Sequence, residues 1–327
     1  MKAERAAKAD KCILCGKTVS SFCKSHSIPQ MVLKSIANNG MLLTMEQFFG
    51  MPIIDETKGV GTAGVFYLIC EECDSARFQS YESYRILDEH ITDTMMAQIA
   101  MKNTLQMLYK RAVERELYKI LVFDKMANMD LDKYNQINAY DCRDFMEELE
   151  ISKRLLEIEG DTNEYRIMFH KVLPYMVPMA FQGLMSPYKD LDGRIINNKY
   201  ASDPSLRISL LHLLVFPYEG KSLILAFYHR RNNDKYRRMT RTLKSILMSC
   251  ATRYLCYRII ADTENYYLSP TMRQVIEEND SIERLVREED EAPMMSRYLP
   301  LLYDDSNYNP VSMHEIPDLL SERYAIA

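Results

Sequence analysis

The chain has 327 residues, 47% of them hydrophobic and 27% charged, with a net charge of −5. That length accommodates two or three domains, each with its own core, and no apolar run reaches the length a bilayer demands. Ten glycines without a GxxxxGK[ST] or a GxGxxG leave no phosphate loop of the common nucleotide-binding kinds.

The charge is unevenly spread. Residues 277–327 hold 13 acidic and 4 basic side chains, which leaves +4 on the first 276. Residues 1–11 read as an exposed helix without the apolar stretch of a signal peptide. Next comes Cys12-Ile-Leu-Cys15-Gly16, and further on Cys70-Glu-Glu-Cys73-Asp74. Two thiolates spaced in this way reach one ion from a tight turn. Two such pairs give the four-thiolate shell of a structural Zn²⁺. Eight cysteines, four of them in these knuckles, suit a reducing compartment, and a cytoplasmic location is expected. The knuckles are separated by 54 residues, too many for a compact zinc ribbon. Within that gap the sequence predicts a short β-like segment ending at Ser25-His26-Ser27-Ile28-Pro29 and a short helix after Pro29. A polar turn at Asn38-Asn39-Gly40, a flexible loop over 57–64 and a strand over 65–69 follow.

Residues 75–129 contain few breakers and read as two packed amphipathic helices; 139–159 read as another, closed by Gly160-Asp161-Thr162-Asn163. From about 170 the texture changes. The runs 208–216 and 222–228, joined by Pro217-Tyr-Glu-Gly220-Lys221, form a hairpin in an antiparallel sheet of about three to five strands. Residues 234–262 read as one long helix, with Cys250 and Cys256 as packed thiols, and Ser269-Pro270 opens a further helix. The fold class is therefore α+β: an N-terminal treble-clef zinc module, a helical middle, then an antiparallel sheet with packed helices. The boundaries fall at 1–90, 91–165, 166–290 and an acidic tail over 291–327.

Several side chains carry two readings each. In a treble clef the second knuckle opens a helix whose start faces the first strand. That places His26 near Asp74, where a histidine opposite a carboxylate activates water and the carboxylate holds a divalent ion. The other reading is a turn-capping His26 and an Asp74 that caps the next helix. Asp190 and Asp192 are either a hairpin turn or a metal pair, the turn being preferred. His229 is either an exposed strand-end histidine or a phosphate contact. The run Arg230, Arg231, Lys235, Arg237, Arg238 and Arg241 is either a solvated helix face or a phosphate-binding surface.

The order CxxC, SHSIP, CxxCD over residues 12–80 resembles the HNH (ββα-metal) endonucleases in their zinc-knuckle form. The resemblance implies that His26 is the general base and Asp74 a ligand of a catalytic Mg²⁺ or Mn²⁺. It further implies that Arg77 contacts phosphate and that Cys12, Cys15, Cys70 and Cys73 hold the structural zinc. Two departures stand out: Ser25 occupies a metal-ligand position, and no Asn lies between Asn39 and Cys70. The chain also resembles a looser bacterial group with SHxxP and ICxxCD followed by a YE segment, here Tyr81-Glu82.

Two functions follow as expectations. The first is a metal-dependent HNH-like nuclease acting on DNA in preference to RNA, in a bacterial defence or mobile-element setting. The second is a catalytically inactive, zinc-stabilised nucleic-acid-binding or assembly protein, as a homo-oligomer or with a partner protein, away from membranes.

Overall fold

The computed structural model describes residues 2–48, 51–83, 90–123, 131–160, 162–198, 205–263, 265–285 and 311–326. In chain order the elements are α1 (Lys2–Ala6), β1 (Ser25–His26), α2 (Gln30–Ile36), β2 (Met41–Phe48), β3 (Met51–Gly59), β4 (Val65–Phe66), α3 (Glu71–Arg77), α4 (Asp93–Phe123) and α5 (Leu131–Leu155). They continue with β5 (Tyr165–Leu173), β6 (Met179–Met185), β7 (Leu211–Tyr218), β8 (Lys221–His229), α6 (Asn233–Ser245), α7 (Met248–Asp262), β9 (Tyr266–Leu268) and α8 (Arg273–Glu277). They fall into two compact units. The first comprises residues 1–27, 65–163 and 204–208; the second comprises 28–64, 164–203 and 209–327. The first ninety residues are thus shared between the two units.

In the first unit β1 pairs with β4 in an antiparallel ladder of two residues each, Ser25 opposite Phe66 and His26 opposite Val65. Such a ladder is too short to persist by itself. It depends on the knuckles at its ends and on α4, whose first half is buried nearly all round from Met95 to Leu105. α5 runs antiparallel to α4: Asn138 Nδ2 donates to Arg111 O at 3.3 Å, and Thr162 Oγ1 at the far end donates to Asp93 Oδ2 at 2.7 Å. Asp144 on α5 is buried and is held by Arg207 at 2.7 Å and by Arg143 at 2.9 Å. The sequence predicts two helices over 75–129. The structure has the seven-residue α3 and the unbroken 31-residue α4 there, with 84–89 and 124–129 outside the described residues. The third predicted helix begins earlier than expected, at Leu131.

The second unit is built on a seven-stranded antiparallel sheet in the order β3-β2-β9-β6-β7-β8-β5, larger than the expected three to five strands. The extra strands are the short β9, together with β2 and β3, which occupy the stretch between the predicted polar turn at 38–40 and the predicted loop over 57–64, β3 running into the start of that loop. β6 is buried at every residue, β7 at all but Tyr218 and β8 at all but Lys221. Strands covered on both faces appear in sequence as unbroken apolar runs. This explains why the β7–β8 hairpin was readable. Its turn, Glu219-Gly220, has φ of +48° and +79°, the two positive values that a two-residue turn matched to strand twist requires.

The predicted single helix over 234–262 is broken. Ile246 and Leu247 adopt extended backbone (ψ 166° and 145°) between α6 and α7. Leu247 and Met248 project into solvent, so their apolar character does not mark a helix face. Of the two cysteines expected to be packed, Cys256 is buried and Cys250 is exposed. Ser269-Pro270 does open a helical turn leading into α8, although the Ser269 side chain makes no capping bond. Of the acidic tail, 291–310 lies outside the described residues. The segment after it docks into the core through Val311, Ile316, Leu319 and Leu320, and Ile326 N donates to Met176 O at 2.9 Å. Among the described residues no helix is long and apolar enough to cross a membrane.

Candidate metal centre and the polar site beside it

The first knuckle is a tight loop. Cys12 N donates to Lys17 O at 2.9 Å, and Gly16 N donates back to Cys12 O at 2.8 Å. Gly16 has φ +72°, a conformation a glycine adopts without strain. Ile13 N bonds Leu68 O at 3.1 Å, which ties this loop to the approach of the second knuckle, where Cys70 is the N-terminal cap of α3. The four Sγ atoms of Cys12, Cys15, Cys70 and Cys73 lie within 4.8 Å of one another. Cys15 Sγ and Cys70 Sγ are 3.8 Å apart. Four thiolates around a tetrahedral ion such as zinc, each at about 2.3 Å, stand about 3.8 Å from one another. The cluster thus has the size and ligand chemistry to hold such an ion.

Hydrogen bonding sharpens this. Cys70 N donates to Cys12 Sγ at 3.4 Å. Burial is the largest single influence on the Cys12 thiol and pushes its pKa up. Bonds from the backbone of Cys15, Cys70 and Leu14 outweigh it and bring the value down to about 7. Burial raises Cys70 and Cys73; the Cys70, Cys15 and Cys12 thiols add to the rise at Cys73, whereas hydrogen bonds from Cys73 oppose it at Cys70. A bound cation therefore displaces protons as it binds.

Beside the cluster, α3 and β1 meet. Asp74 Oδ1 accepts from Ser25 Oγ at 2.8 Å and from Lys102 Nζ at 3.2 Å, and Asp74 Oδ2 accepts from Cys23 Sγ at 3.6 Å. Lys102 Nζ also meets Glu82 Oε1 at 2.7 Å and lies 3.9 Å from the centre of the Phe78 ring. Burial raises the pKa of Glu82, an effect that Lys102 opposes and the charge of Asp74 reinforces. Burial likewise raises the thiol of Cys23, with the charge of Asp74 next. Cys23 is accordingly a hydrogen-bond donor here rather than a thiolate nucleophile.

Ser25 of β1 and Asp74 of α3 are in contact through the 2.8 Å hydrogen bond. His26 follows Ser25 in β1 and is half-buried. Arg77 stands at the far end of α3, half-buried, and forms no ion pair with a described residue. Two members of the site escaped the sequence reading as charged partners, Glu82 and Lys102. Glu82 was visible only as part of the YE segment. A lysine within the apolar stretch Ile99-Ala-Met-Lys102-Asn-Thr-Leu105 was the available signal for the other.

The basic run lies in the second unit. Arg230 pairs with Glu164 at 2.8 Å and Arg238 with Asp192 at 2.8 Å. Arg231 is partly buried beside the cap formed by His229. Lys235, Arg237 and Arg241 are exposed, as is Lys244. Arg237, Arg241 and Lys244 have the i, i+4, i+7 spacing of one helix face, and none of the three pairs with a described carboxylate. His229, expected to be exposed or free for phosphate, is buried: Nε2 meets Glu164 Oε2 at 3.1 Å and Nδ1 accepts from Arg231 N. The Asp190 carboxylate accepts from the backbone N–H groups of Asp192 and Arg194, both at 2.9 Å, so it closes a turn.

No protein-family model matches the chain, and comparison with the curated proteins and with the solved structures finds no match.

Proposed function

We propose that this chain is a zinc-stapled nucleic-acid-binding protein. Its Cys12, Cys15, Cys70 and Cys73 cluster carries structural zinc in a treble-clef-like module whose hairpin, β1 and β4, is interrupted by residues 28–64. The reduced thiols suit a cytoplasmic protein. The observation that carries the binding role is the exposed face of α6, with Arg237, Arg241 and Lys244 spaced about 4.5–6 Å apart along the helix. That spacing is close to the distance between successive phosphates on one strand. Binding by such a face is electrostatic and depends steeply on salt, because each phosphate contact releases counterions.

Fluorescence anisotropy of labelled duplex DNA, single-stranded DNA and RNA over a salt series tests this. The variant Arg237→Gln/Arg241→Gln/Lys244→Gln is expected to bind about 10- to 100-fold more weakly at moderate salt and to flatten the log–log salt slope by up to about 3. Absence of wild-type binding at low salt, or an unchanged slope in the variant, would defeat the proposal.

The second reading is a metal-dependent HNH-type nuclease, and the contact between positions 25 and 74 favours it. His26 would be the base, Asp74 a ligand of Mg²⁺ or Mn²⁺, and Arg77 the phosphate contact. Plasmid DNA, single-stranded DNA and RNA incubated with either ion decide between the two. On the nuclease reading, wild-type protein cleaves and His26→Ala of equal zinc content does not. On the binding reading neither cleaves.

A further inference from the structure

Lys102 lies in the buried stretch of α4 from Met95 to Leu105 and is 1% exposed. An ammonium group has three N–H bonds to offer, and here three acceptors surround it. They are Asp74 Oδ1 at 3.2 Å, Glu82 Oε1 at 2.7 Å and the face of the Phe78 ring, whose centre is 3.9 Å away. The carboxylates come from different places: Asp74 is one residue past the metal cluster in α3, and Glu82 lies beyond the end of that helix. The ring faces the cation with its negative π cloud. Ser25 and Cys23 complete the surroundings of Asp74 by donating a hydroxyl and a thiol to it. Both carboxylates and the ring, all from described residues, are thus directed at one positive charge, and that charge belongs to the chain itself.

Two carboxylates from separate segments converging on one centre are also what a hard divalent ion requires. Mg²⁺ binds at about 2.0–2.1 Å, so for an ion at the ammonium position the carboxylates would have to move inward by roughly 0.6–1.2 Å, and the ammonium would have to leave. A dication and an ammonium cannot share the cage, because the buried ammonium leaves their repulsion only weakly screened at such short range.

We propose that Lys102 is the built-in counter-cation of this site: its ammonium holds the place where a Mg²⁺ or Mn²⁺ ion would bridge Asp74 and Glu82, so the wild-type chain binds no divalent ion there. The proposal rests on the arrangement of the metal module and is independent of α6. Failure of the anisotropy experiment leaves it untouched, and its own failure leaves the α6 reading untouched.

The test is a Mn²⁺ titration of the full-length, zinc-loaded chain, with free Mn²⁺ followed by electron paramagnetic resonance. Wild type is expected to take up no Mn²⁺ that depends on Glu82. Lys102→Ala is expected to bind one ion per chain, and Lys102→Ala/Glu82→Gln to lose it. Lys102→Met, which fills the volume of the lysine stem without its charge, should behave like Lys102→Ala. Mn²⁺ bound by wild type and abolished by Glu82→Gln overturns the proposal, as does a folded Lys102→Ala or Lys102→Met that binds none. Should both variants unfold without metal, their melting is followed with and without Mn²⁺: a rise in Tm on adding the ion supports the proposal, and no rise overturns it.

Discussion

On the proposed zinc reading, Cys73→Ser is expected to abolish metal binding at the four-cysteine cluster and, with it, the protease resistance of residues 2–27 and 65–83. The reason is how little else holds this region. Its regular structure consists of α1 with five residues, a ladder of two residues per strand and the seven-residue α3. Helices and hairpins this short are unstable alone in water. The main-chain cross-links between its two knuckles run at or beside the cysteines: Ile13 N to Leu68 O, Cys23 N to Ile69 O, and Cys70 N to Cys12 Sγ. A structural zinc site supplies an apparent binding free energy of about 10–16 kcal/mol near neutral pH, more than a region of this size draws from its apolar contacts. Serine preserves the shape of the side chain but not the thiolate, so elemental analysis should fall from one zinc per chain to none. Limited proteolysis should then cut between residues 2 and 27. Equal removal of zinc by chelator and by mutation, with no new cleavage in either case, would show that the cluster does not hold this region together.

The features that sequence disclosed are those in which chemistry or burial leaves a short-range pattern. The CxxC pairs required only the two-residue spacing, and their Sγ atoms do converge within 4.8 Å. The β7–β8 hairpin announced itself because both strands are buried on both faces and Glu219-Gly220 supplies the turn. Longer-range features were not legible. Nothing local in residues 41–59 says that they add two strands to a sheet whose other members begin at Tyr165; that pairing is made by Leu43 opposite Leu268, far away in sequence. The break at Ile246-Leu247 was hidden because an exposed leucine and methionine resemble a buried face. Within the candidate site, the neighbours in sequence of the cysteines were found, but Lys102 arrives from another helix, and its partners could not be read from spacing. The same limit explains His229, which looked exposed at the end of a strand until Glu164 was seen to cover it.

Asp74→Ala is expected to leave the zinc in place and to lower the stability of the first unit by about 2–3 kcal/mol. Breaking a buried ion pair by removing one partner typically costs about 3–5 kcal/mol, because the other charge is left uncompensated. The lower figure applies because the Asp74 side chain is 23% exposed and Glu82 still faces the ammonium, whereas the Lys102 side chain, at 2%, cannot turn to water. Ser25 and Cys23 lose their acceptor at the same time. Asp74→Asn keeps an oxygen for Ser25 and removes only the charge, so its cost should be smaller, about 1–2 kcal/mol. Hydrogen exchange at the amides of α3 and α4, on zinc-saturated protein, reads this locally and avoids mixing the two units. The experiment also separates two roles for the same carboxylate. As a ligand waiting for a catalytic ion, Asp74 would carry its cost in metal-dependent activity, and its loss would relieve carboxylate repulsion and leave the fold as stable or more so. As the partner of a buried lysine, it carries its cost in stability without any divalent ion present. A loss below about 0.5 kcal/mol, within the range of ordinary surface substitutions, would place Asp74 in the first role.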